Sequence, residues 1–126
     1  MNKTIVDANI ILRVILNDNA DMTKQALDCL AKNDILIKNE VMAEVVYVLF
    51  KFYDVEKQDI LKYISNIIKF KNVHTESNKV ILLALETFSH NNLDFVDCLL
   101  YAYNRVFGYD IFTFDKKLEK VLKNIN

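Results

Sequence analysis

Residues 3–17 read KTIVDANIILRVILN, and this stretch decides the fold. Lys3 to Val6 is a short β-like run that stops at Asp7. Asn9 to Asn17 then continues with apolar residues at helical spacing, with Asn9 available as a cap. A strand that passes through a carboxylate straight into a helix is the opening of a βα unit.

Outward from there, the same alternation recurs. Asp21 to Lys32 is expected to form a second helix, with Met22, Ala26, Cys29 and Leu30 facing inward. Asp34 to Lys38 (DILIK) reads as a second strand, and Asn39 as the cap of a long helix to about Phe52. Glu56 to Phe70 places Ile60, Leu61, Ile64, Ile67 and Ile68 on one stripe. Asn72 to Thr75 is a weak strand and Glu76 to Ser89 a helix. Asp94 to Phe107 is a helix stopped by Gly108, the single glycine of the chain. Asp110 to Phe114 (DIFTF) reads as a strand, and Lys116 to Lys123 as a closing helix. Strands that alternate with helices imply an α/β fold, a parallel sheet with helices on both faces. No linker, repeat or low-complexity segment interrupts the pattern, so residues 1–126 are read as a single domain.

Composition agrees. Of 126 residues, 52% are apolar and 26% charged, which suits one domain with a full core and excludes a disordered chain. With no proline and one glycine, the loops must be built from Asn, Asp, Lys and Ser. Cys29 and Cys98 sit among apolar residues and read as buried thiols rather than a disulfide framework. No signal peptide is seen and no run approaches about 18 apolar residues, so a cytoplasmic protein is expected. The net charge of −1 lacks the electrostatic signature of a strong nucleic-acid binder. A bound cation would reverse the local potential.

Several of the 17 acids stand in apolar surroundings. Asp7 lies between an apolar strand and an apolar helix. Glu44 lies in VMAEVVYVLF and Asp97 in FVDCLLYAY. Asp115 follows IFTF at an expected strand end. A lone buried carboxylate costs several kcal/mol or more and needs a partner. Only Arg13 and Arg105 are basic residues in comparable runs, which suggests a cation as the missing charge. Asp7 and Asp115 are placed at the carboxyl ends of expected parallel strands, where α/β sheets bind ligands. Glu44 and Asp97 are expected near the first turns of their helices, and Asp94 shares a helix face with Asp97. All-oxygen ligands suit Mg²⁺ or Mn²⁺ rather than Zn²⁺. Simpler roles stay open: Asp7, Asp94 and Asp115 also read as helix caps, and Glu44 as a partner of Arg13 or a solvent-facing residue.

Four segments, IVDANIILRVIL, MAEVVYVL, LDFVDCLLYAYNR and IFTFDKKL, occur in this order across nearly the whole chain. As an ordered set they resemble PIN-domain ribonucleases, and among these the compact VapC-type toxins of toxin–antitoxin pairs. The resemblance implies a three-layer PIN-like fold with four to five parallel strands. It puts the family's acids on Asp7, Glu44, Asp97 and Asp115, with an extra acid at Asp94, and supporting roles on Asn9 and Thr113. Asp7 and Asp97 are the favoured direct metal ligands. Ala8 stands where Thr or Ser is commoner, and the final edge strand is expected to be short or absent. The resemblance further implies a Mg²⁺- or Mn²⁺-dependent endoribonuclease whose product keeps a 5′ phosphate, a homodimer, and an antitoxin that covers the site. Arg13, Lys116 and Lys117 are candidate RNA contacts, although a lysine-rich terminal helix also reads as a solvated face.

Three alternatives are weighed. A haloacid-dehalogenase-like phosphatase needs D-x-D-x-T, whereas here Asn9 and Ile11 occupy the second Asp and the Thr. A catalytically silent PIN-like binding module would be expected to have lost an acid, and none is lost. A structure-specific DNA nuclease on the same fold is the third.

Overall fold

A computed structural model describes residues 2–124. The chain packs as two compact units, residues 1–78 and 79–126.

The first unit holds three short parallel strands, β1 (Thr4–Ile5), β2 (Ile35–Ile37) and β3 (Val73–Thr75), in the order β1-β2-β3. Thr4 pairs with Ile35, and Ile35 with Val73. Parallel neighbours need crossovers. Helices α1 (Ala8–Leu16) and α2 (Ala20–Lys32) make the first, and α3 (Asn39–Lys51) and α4 (Lys57–Ile68) the second. The core is apolar side chains at sheet and helix spacing: Ile35 and Ile37 of β2, Ile11 of α1, Val45 and Leu49 of α3, and Ile60 and Ile64 of α4 are all 0–1% exposed.

Local chemistry sets the helix ends. Asp7, not Asn9, is the N-cap of α1, and its carboxylate accepts from the Ile10 N–H at 3.3 Å. Asn17 closes α1 in the left-handed region at φ 49°, a conformation asparagine tolerates. Asn39 does not cap α3. It is the first helical residue, and its N–H donates 2.7 Å to the Glu76 carboxylate just beyond β3. That carboxylate also pairs with Lys38 at 3.6 Å, so an acid remote in sequence supplies the missing cap.

The second unit contains α5 (Asn78–His90, which begins at the last residue of the first unit), α6 (Phe95–Phe107) and α7 (Lys116–Lys123). Phe88 and Phe95 meet edge to face at 6.0 Å across the α5–α6 turn. Gly108 ends α6 with φ 74°, as its position implies. Arg105 on α6 donates through one guanidinium nitrogen to the carbonyls of Val121, Leu122 and Asn124. A cation is therefore fixed on the carbonyl end of α7, where the helix dipole favours it. Leu118 is fully buried and fixes the inner face of α7.

Two expectations about strands are corrected. Three strands form among the described residues, not four to five. The segment DIFTF at 110–114 is not one of them. Its β-forming residues meet no ladder; Phe112 and Phe114 instead pack edge to face at 5.4 Å and are each 86% exposed. Residues with β propensity become a strand only where another strand offers hydrogen bonds. The two cysteines form no disulfide; Cys98 is buried and Cys29 half-buried. No helix among the described residues is long and apolar enough to cross a membrane.

Candidate metal-binding acidic cavity

In the second unit a cavity of about 340 Å³ is lined by Asn92, Leu93, Asp94, Asp97, Asp115, Lys116 and Lys117. Asp94 and Asp97 come from the first turn of α6, and Asp115 begins α7. Local structure explains each. Asp94 occupies the N-cap position of α6, yet its side chain makes no cap hydrogen bond, so both carboxylate oxygens are available. Capping alone does not account for this residue. Asp97, three residues on, projects from the same helix face. Asp115 is the N-cap of α7 and spends one oxygen on the Leu118 N–H at 2.9 Å. Thr113 accepts from the Asp115 N–H at 3.0 Å and so fixes the turn that aims Asp115.

The electrostatics single out Asp97. Its carboxyl is raised above the ordinary 3.8, first by burial, then by the charge of Asp115, then by that of Asp94. Among the described residues no basic side chain forms an ion pair with any of the three: the ion pairs are Arg13–Asp18, Lys38–Glu76 and His74–Asp34. The carboxylates are not drawn into a ready-made cage either, since no group of three His, Cys, Asp or Glu among the described residues stands close enough to hold a metal ion. Like charges without a counter-ion keep apart, and a cation would draw them together. The donor set fits a hard divalent ion: carboxylate oxygens with no ion-pair partner among the described residues, although Lys116 and Lys117 line the same cavity.

Asp7 and Glu44 belong to the first unit. Asp7 follows β1 and keeps one carboxylate oxygen beyond its cap bond. Glu44 lies on the exposed side of α3. The expectation that these acids are buried is corrected: Asp7, Glu44, Asp94 and Asp115 are exposed and Asp97 is half-buried. An acid flanked in sequence by apolar residues faces outward when its helix phase points outward. Asp115 likewise follows a loop rather than a strand. Asn9 is exposed beside Asp7. Arg13 pairs with Asp18 at 2.7 Å rather than with Glu44. Arg105 pairs with no acid among the described residues; it closes α7 and lies over the Tyr101 ring at 4.9 Å. Asn92 and Leu93 also line the cavity, and only their place just before the α6 acids could have pointed to them.

The family model described as PIN domain matches residues 4–124. The chain belongs to the PIN-domain family. The match spans both compact units and all five acids. No curated protein and no solved structure matches the chain. PIN domains are a family of nucleases, typically dependent on divalent metal ions. A metal-dependent hydrolase is therefore the coarse activity that this membership carries.

Proposed function

We propose that this PIN domain is a Mg²⁺- or Mn²⁺-dependent endoribonuclease that acts as the toxin of a type II toxin–antitoxin pair. The observation that carries the nuclease reading is the carboxylate cavity: burial and the charges of Asp115 and Asp94 raise the Asp97 carboxyl, and none of the three has an ion-pair partner among the described residues. The toxin reading is supported by the ordered resemblance of the four segments to VapC-type chains.

Asp97, Asp115 and Asp94 would hold the divalent ion, and Asp7 and Glu44 fill the family's other acidic positions. When bound, the ion stabilises negative charge on the phosphate oxygens and makes water a stronger nucleophile. The chain's own residues orient and neutralise. Thr113 holds the turn of Asp115, and Asn9 stands beside Asp7. Lys116 and Lys117 on the cavity wall attract the RNA phosphate. Arg13 is a weaker candidate, since Asp18 already engages it. In the hydrolysis the water oxygen bonds to phosphorus and the P–O3′ bond breaks. The 3′ oxygen leaves with a proton, and the 5′ phosphate stays on the product. A homodimer, a cognate antitoxin protein that covers the acids and a cytoplasmic location complete the proposal.

The test is cleavage of total cellular RNA by the purified protein with Mg²⁺ or Mn²⁺ against EDTA, alongside Asp97→Asn. Discrete fragments that need metal and vanish in the variant support the reading. Intact RNA under every condition overturns it.

A further inference from the structure

Beside the carboxylate cavity lies a second one of about 200 Å³, lined by Asn91, Asn92, Leu93, Lys117, Lys120, Val121 and Asn124. Asn92, Leu93 and Lys117 line both, so the two cavities adjoin. Their charge balance differs in sign. The first sets three carboxylates against Lys116 and Lys117 and is net negative. The second presents Lys117 and Lys120 and no acid. These lysines are three residues apart on α7, so they share a helix face and repel each other. Neither has an ion-pair partner among the described residues. One cavity therefore calls for a cation and its neighbour for an anion. Lys117 stands on the boundary. The amides of Asn92 and Asn124 add hydrogen-bonding groups to the second wall.

We propose that the Lys117–Lys120 cavity is a docking subsite for the phosphodiester next to the one cut, so that single-stranded RNA runs along α7 across the acidic cavity. This rests on the nuclease reading above and adds the path of the strand. A polyanion that carries its cation with it satisfies both cavities at once, whereas a mononucleotide would fill only one. The path also accounts for how a chain with net charge −1 can hold RNA: the positive charge is concentrated on one helix face rather than spread over the surface.

The test is binding of a short fluorescent single-stranded RNA to the Asp97→Asn protein at several salt concentrations. Binding is then measured again with Lys117→Gln and Lys120→Gln added. Each lost contact to single-stranded nucleic acid lowers the slope of log affinity against log salt by about 0.7, so two contacts lower it by about 1.4 and weaken binding about 25-fold at 0.1 M salt. Lys24→Gln, on exposed α2, serves as the control and should change neither. Unchanged folding of the double variant by circular dichroism keeps the comparison valid. RNA binding with an unaltered slope overturns the subsite and leaves the nuclease reading intact. Absence of RNA binding in every version, with total RNA also uncut by the wild type, overturns both. Binding of an oligoglutamate peptide at this face in place of RNA also overturns the subsite.

Discussion

Replacing Asp97 with Asn should stabilise the metal-free protein, contrary to the usual effect of altering a half-buried polar residue. The side chain keeps its shape and loses its charge. Partial burial penalises that charge most, and two neighbours, Asp115 and then Asp94, repel it. A like-charge neighbour on a helix surface costs about 0.2–0.5 kcal/mol, and two cost up to about 1 kcal/mol. The N-terminal end of α6 opposes this, since it favours a carboxylate by about 0.3–1 kcal/mol. The raised carboxyl shows that repulsion and burial prevail. A net gain of about 0.5 kcal/mol, or about 2–3 °C in Tm, follows for a chain of this size. It depends on pH. Below the ordinary carboxyl value of 3.8, Asp97 is protonated in folded and unfolded chains, and the two proteins should match. As pH rises, the unfolded chain releases its proton first. The wild type therefore loses stability relative to the variant across that window, and the gap is complete at neutral pH. Thermal melts in EDTA at several pH values read this directly. A variant less stable than wild type at pH 7, or a gap that persists unchanged at pH 3, would refute the reasoning.

Other consequences are equally direct. Leu118→Ala empties a fully buried position under α7 and should cost about 2–5 kcal/mol in urea unfolding. Arg105→Gln removes the cation from the carbonyl end of α7 and should cost about 1 kcal/mol in the same assay, with little change if the contact is idle. Glu76→Gln weakens the remote cap of α3 and the pair with Lys38, for a loss of about 0.5–1 kcal/mol in thermal denaturation. EDTA should abolish RNA cleavage and Mn²⁺ restore it, as followed by gel electrophoresis of the fragments.

The seven helices and three strands among the described residues are legible because each carries its own period: the Ile stripe of α4, the DILIK run of β2 and the Gly108 stop of α6 are local signals. The misread strand and the misread cap share one cause, dependence on distant partners. DIFTF has the composition of a strand, but pairing is decided by what lies alongside it. Asn39 has the chemistry of a cap, but Glu76 reaches the same helix end from 37 residues away. For the acids, one premise of the sequence reading does not hold. Apolar neighbours in sequence suggested burial, whereas helix phase turns Glu44 to the surface and leaves Asp97 only half covered. Of the five acids, the structure lines one cavity with Asp94, Asp97 and Asp115, because the first turns of two helices carry them, and Asp7 and Glu44 lie in the other unit. The lysine cavity beside it could not be read locally, since Asn92 and Lys120 approach only when α7 packs on the turn before α6.

If Asp94, Asp97 and Asp115 hold a divalent ion, calorimetric titration of the protein with Mn²⁺, repeated for Asp97→Asn and Asp94→Asn, will show it. Saturable binding by the wild type, loss in the Asp97 variant and weakening in the Asp94 variant are expected. Equal binding by all three proteins, or none by the wild type, would contradict this assignment.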